Sequence, residues 1–188
     1  MALSLVKGQN TALDAGLQKV IVGLGWDVRA DAGDAFDLDA SVFLLNSDQK
    51  VRSDADFIFF NQRSSACGSV VHQGDNLTGI GDGDDEQVVV DLPKVPSDVE
   101  HIVFVAAIYK AKERRQNFGM VQNAFIRIVD TASNEEIARF DLGEDACLNT
   151  TLVFGELYRR NGMWKFRALG QGYDFEIGDI ARKFGVNV

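Results

Sequence analysis

Asp37, Asp39 and Ser41 recur at every second position of the run FDLDASV, with Phe36, Leu38, Ala40 and Val42 between them. That alternation is the pattern of a half-buried strand, with the two carboxylates on one face. Residues two apart on a strand are only about 7 Å apart. Carboxylates held that close repel, so either one takes up a proton or a cation lies between them. Asp27, after Gly25 and Trp26 at the end of the preceding strand, is placed to close on the same point, and Asp31 and Asp34 lie on the connecting loop. A second acidic run, DNLTGIGDGDDE from Asp75 to Glu86, follows Gly74 and is interrupted by Gly79, Gly81 and Gly83. The glycines allow sharp turns that expose backbone carbonyls. With Asp75, Asp82, Asp84, Asp85, Glu86 and the Asn76 amide, the loop offers the oxygen-rich set that a hard cation such as Ca²⁺ takes. His72 is the nearest soft donor, so zinc or copper suits the loop less well. Neither the EF-hand spacing nor a G-x-x-x-x-G-K-[ST] phosphate loop is matched.

The whole-chain charge sharpens this reading. The 188 residues carry a formal net charge of -9, with 28 acidic residues against 19 basic. The window from Asp27 to Asp39 holds five Asp and one Arg, and the window from Asp75 to Glu86 holds four Asp and one Glu, so the two account for the entire excess. The rest of the chain is neutral. Phosphate backbones are repelled by such loops, which argues against nucleic acid as partner. No apolar run is long enough for a transmembrane helix. The amino terminus has no secretory pattern, and Cys67 and Cys147 make no disulfide framework. The expected location is the cytoplasm, with both thiols reduced.

The elements that must position these acids are strands. Apolar, β-branched runs bounded by Gly, Asn, Asp, Ser or Pro recur through the chain, among them LQKVIVGLGWDV, ADFIFFN, EQVVVDL, HIVFVAAIY and AFIRIVD. Nine or ten strands with no βαβ alternation predict an all-β chain: a β-sandwich of two mainly antiparallel sheets, with one or two short helices and acidic metal-binding loops. One domain is expected over 1–188. Asn161-Gly162 predicts a two-residue hairpin with Glu156 opposite Arg167 and Arg159 opposite Trp164. TASNEE links a second hairpin, from AFIRIVD to IARFDL. A terminal helix is expected over 175–184, stopped by Gly185. KERRQNFGMV reads as one helical turn or a loop.

Other polar residues read as structural. His72 reads as a structural hydrogen bonder, His101 as the start of a strand with no chemical role, Cys67 and Cys147 as small inert side chains, and Lys110, Lys112, Arg114 and Arg115 as a solvated basic loop. Neither a Ser-His-Asp set nor a nucleophile elbow is present.

At LGWD (24–27), FDLDAS (36–41), GDNLTG (74–79), GDGDDE (81–86), NAFIRI (123–128), FGELYR (154–159) and WKF (164–166), the chain resembles the TerD family of tellurite-resistance and stress proteins. The resemblance implies a two-sheet sandwich, calcium binding through the acidic loops, and a role in resistance to tellurite, with related phage and colicin resistance. Carried over by position, it implies Asp37, Asp39, Asp75, Asp82, Asp84 and Glu86 as primary ligands. Asp27, Asn76, Asp85 and carbonyls near Gly79 to Gly83 are then secondary ones, and two Ca²⁺ ions are expected. The leading functional expectation is a non-enzymatic calcium-binding sensor or scaffold, monomeric alone. Its partners would be paralogous stress proteins or a membrane-associated component. The alternatives are a metal-dependent hydrolase and a calcium-dependent binder of a small ligand such as a nucleotide or glycan.

Overall fold

In the computed structural model, residues 2–28, 36–74, 83–143 and 148–188 are described. They form twelve strands and two short helices: β1 Leu3–Leu5, β2 Asn10–Ala12, β3 Lys19–Val28, β4 Leu38–Leu45, β5 Phe57–Ile58, β6 Val70–His72, β7 Glu86–Asp91, β8 His101–Ile108, α1 Ala111–Arg114, β9 Val121–Asp130, β10 Glu136–Asp141, β11 Thr151–Arg160, β12 Met163–Tyr173 and α2 Ile177–Lys183. Two six-stranded sheets result. Sheet A has the order β1-β10-β9-β3-β7-β6 and sheet B the order β2-β12-β11-β8-β4-β5. Every pairing is antiparallel except β1 with β10. The expected all-β sandwich is present.

Strand alternation builds the core. Val20, Val22, Leu24 and Trp26 of β3 face Leu38, Ala40, Val42 and Leu44 of β4 across the inter-sheet space, together with Ile126 and Ile128 of β9 and Phe104 of β8. The residues between these point away from the core, so β4 turns Asp39, Ser41, Phe43 and Leu45 to the outer face of sheet B. There Phe43 stacks on Phe57 with ring centroids 4.6 Å apart, and α2 covers the pair with Ile180 and Ala181. Each buried Leu, Ile or Phe contributes about 1.5–3 kcal/mol, so two layers of them leave little for the loops to supply.

The Asn161-Gly162 turn has φ of 53° and 75°, the left-handed pair that a type I′ turn needs. The register is the expected one, Glu156 opposite Arg167 and Arg159 opposite Trp164. The terminal helix is shorter than 175–184 and opens on a capping box between Glu176 and Asp179. KERRQNFGMV divides into the single turn α1 and a 3₁₀ turn over Phe118–Met120. Two expected strands are shorter than the apolar runs suggest. β4 starts at Leu38 rather than Phe36, although Tyr109 N–H still donates to the Asp37 carbonyl at 2.8 Å. In ADFIFFN only Phe57–Ile58 pairs, because Phe59 and Gln62 bond to each other and turn the chain back. The three-residue strands β1, β2 and β6 lie on sheet edges, where so few residues carry no readable alternation.

Candidate metal centre

The described parts of both acidic windows lie at strand ends: β3 ends on Asp27 and Val28, β4 begins at Leu38 just after Asp37, and β7 begins at Glu86, opposite Leu24 of β3. Residues 29–35 and 75–82 connect these ends, and Asp75, Asn76 and Asp82, with the carbonyls at 79–82, lie outside the described residues.

Gly23 and Gly25 prepare the outer face of sheet A for the second window. A Cβ added to Gly23 would lie 2.2 Å from the Asp84 carboxyl, and one on Gly25 would lie 2.3 Å from the Phe125 ring and 2.7 Å from the Gly83 carbonyl. The bare backbone of β3 is therefore the surface on which Gly83 and Asp84 rest. Asp85 is anchored beside them: its N–H donates to Leu24 O at 2.8 Å, and its carboxylate accepts the Trp26 N–H at 2.8 Å.

The described acids take different roles. The Asp84 side chain is buried and accepts from Arg127 Nε at 2.7 Å and from Gln87 Nε2 at 3.1 Å. That pairing raises the Arg127 guanidinium above its ordinary value. Asp27 is exposed and accepts from Asn123 Nδ2 at 2.7 Å. Burial holds the Asp85 carboxyl above the usual range; the Trp26 N–H opposes this, and the Asp27 and Asp84 carboxylates reinforce it. So Asp27, Asp84 and Asp85 share one electrostatic neighbourhood. It borders a cavity of about 320 Å³ lined by Trp26, Gly83, Asn123, Phe125, Arg127 and Arg139. Glu86 points the other way, into the space between the sheets. Its Oε2 lies 2.9 Å from His72 Nε2, with both side chains 1% exposed. His72 Nδ1 accepts the Gly74 N–H at 3.2 Å. Asp37 and Asp39 belong to the outer face of sheet B and are half-buried.

The structure thus gathers Asp27, Asp84 and Asp85, engages Asp84 with Arg127 and Glu86 with His72, and leaves Asp37 and Asp39 on another sheet. Among the described residues, no three His, Cys, Asp or Glu side chains form a group able to hold a metal. Gly23, Asn123 and Arg127 escaped the reading of the sequence. Gly23 had a signal, since with Gly25 it puts two glycines on one face of an apolar strand. Arg127 had only its outward position in NAFIRIVD.

Comparison with known proteins agrees with this architecture. The model of the TerD domain matches residues 1–184. Over full length the chain is 53% identical to the tellurium resistance protein TerD of Serratia marcescens, covering 100% of this chain and 99% of that protein. It is also 53% identical to general stress protein 16U of Bacillus subtilis (strain 168), covering 100% of both. A solved homologue of telluride resistance protein (TerD) from Streptomyces coelicolor A3(2) superposes with a TM-score of 0.71 at 22% identity, covering 88% of this chain and 96% of that one, and so shares the fold. Matched by the TerD domain over residues 1–184 and 53% identical over full length to a tellurium resistance protein, this chain belongs to the TerD family.

Proposed function

We propose that this protein is a non-enzymatic calcium-binding component of a tellurium-resistance and stress response. In this role the ion orders the acidic end of the sandwich into a surface for a partner. The tellurium resistance and general stress proteins to which the chain is similar support the resistance and stress setting. The observation that carries the calcium reading is the gathering of Asp27, Asp84 and Asp85 beside the bare backbone of Gly23 and Gly25. The donors are all hard oxygens, which fits Ca²⁺ and not a soft metal. Asp27 and Asp85 would supply described ligands, with Asp75, Asn76 and Asp82 adding oxygens from the same window. Arg127 would hold Asp84 in place. Asp37 and Asp39, on sheet B, would serve a second ion.

Thermal melting tests the reading. At free Ca²⁺ near 100 times the dissociation constant, a site present only in the folded state adds about 2.7 kcal/mol. The melting temperature of chelator-stripped protein should therefore rise with Ca²⁺, and rise less with Mg²⁺, which demands a tighter octahedron. A melting curve unmoved by millimolar Ca²⁺ would overturn the proposal.

A further inference from the structure

The outer face of sheet B carries a cleft of about 430 Å³. That volume lies in the range of small-molecule sites. Its floor is apolar where Val103, Val153 and Leu169 line it, and Tyr173 and Phe184 add aromatic surface. One wall is the 48–50 turn, braced by two backbone N–H groups donating to Asn46 Oδ1 and docked on the end of α2 by Val51 N–H donating to Phe184 O at 2.9 Å.

Glu156 sits on the floor, 4% exposed, at the centre of the face. Its Oε1 accepts from Arg167 Nε at 2.8 Å and from Nη2, and its Oε2 lies 2.8 Å from His101 Nδ1. Burial pushes the Glu156 carboxyl up, but His101 and Arg167 outweigh it and hold it below its ordinary value. Both oxygens of the carboxylate are engaged, so its charge is answered within the fold. The two lysines on the cleft are not answered in this way. Lys50 and Lys183 have no carboxylate within ion-pair range among the described residues; Lys50 Nζ reaches the Lys183 carbonyl and Lys183 Nζ the Tyr173 hydroxyl. The guanidinium of Arg167 lies over the Tyr158 ring with Nη1 still available. Asp48 is the one further acid on the cleft. In a chain of net charge -9, this cleft has more cations than acids.

We propose that this cleft binds a small organic anion. Its phosphate or carboxylate would meet Lys50, Lys183 and Arg167, and its planar apolar body would lie on Val103, Val153 and Leu169. The site shares no residue with the proposed calcium centre and stands or falls independently of it.

Amide NMR titration of the full chain tests this, run both chelator-stripped and with Ca²⁺. Phenyl phosphate and benzoate are the probes; they distinguish a phosphate from a carboxylate ligand. Inorganic phosphate and benzyl alcohol each lack one half of the proposed ligand. One of the two aryl anions should give saturable shifts confined to the cleft and bind at least about tenfold more tightly than either control, a gap of about 1.4 kcal/mol. The exposed pair Lys50→Gln and Lys183→Gln should lose that margin with an unchanged far-UV spectrum. Leu169→Trp, which fills the floor, should abolish binding. If neither aryl anion shifts cleft amides at millimolar concentration, the proposal fails. It fails equally if inorganic phosphate binds as well as phenyl phosphate, or if the Lys variants bind like the wild type. The Glu156 network would then be a staple of β8, β11 and β12 only.

Discussion

Asp85 sits in an environment that disfavours its charge. It is partly buried, beside Asp27 and Asp84, and its backbone and side chain are both tied to β3. Asp85→Asn keeps an oxygen for the Trp26 N–H and removes one negative charge. The melting temperature of chelator-stripped protein should therefore rise, because like-charge repulsion falls. Calcium affinity should drop by roughly tenfold or more, the scale of loss seen even for outer-shell changes. A variant that binds Ca²⁺ like the parent would remove Asp85 from the ligand set. Glu156 behaves in the opposite sense. Its folded-state carboxyl is held below the ordinary value by His101 of β8 and Arg167 of β12, with Lys50, Asp48 and Lys183 on the surrounding walls. A depressed pKa means stability that is present above the unfolded value, about 4.3, and lost as pH falls through the folded one. Glu156→Gln should cost about 1–3 kcal/mol at neutral pH, since it leaves Arg167 and His101 facing a neutral amide. The gap between variant and parent melting temperatures should close as the pH is lowered past that range. A gap independent of pH would show that Glu156 contributes shape and not charge.

At the scale of elements, β3 does two jobs. Its inner positions Val20, Val22, Leu24 and Trp26 belong to the core, while Gly23 and Gly25 on its outer face accept the acidic segment. Gly23→Ala drives a methyl into the Asp84 carboxyl, and Gly25→Ala drives one into the Phe125 ring and the Gly83 carbonyl. Overpacking of this kind costs about 1–3 kcal/mol. Gly25→Ala should be the costlier, because it meets backbone as well as a ring. Both should weaken calcium binding, measured by calorimetry on protein shown to be folded. Full affinity in either variant would mean that the segment does not rest on β3 when metal is bound. The β11–β12 hairpin is a contrasting element. Its turn chemistry is local, its register is already complete, and it lies at the opposite end of its strands from Thr151 and Tyr173, which share a row with Asp39.

For the whole molecule, the two apolar layers supply the core, so under the calcium reading the sandwich should hold without the ion. Chelation should leave the far-UV spectrum and the amide protection of β8, β11 and β12 unchanged. Addition of Ca²⁺ should raise protection at Trp26, Asp27 and Gly83 to Glu86. Unfolding of the whole chain on chelation would make the ion a structural staple and defeat the sensor role. The architecture itself was legible in the residues: strand-length apolar runs with period two, the Asn-Gly turn and the absence of βαβ alternation specify antiparallel sheets, because each is a local consequence of backbone geometry. The clustering of the acids was legible for the same reason, since charge density is a property of the chain. What the sequence alone could not assign was direction and partner. Strand alternation says that Asp37 and Asp39 share a face, but only the packing of Leu38 and Ala40 into the core decides that the face belongs to sheet B, away from Asp84 on sheet A. Likewise Glu86 reads as one more loop acid until β6 brings His72 to it, and Asp84 reads as unpaired until β9 brings Arg127 across. Such pairings join residues far apart in sequence, His72 to Glu86, Asp84 to Arg127, Glu156 to His101. They are set by sheet order and register, which arise from the summed burial of many apolar side chains and leave no trace in the residue types of any single segment.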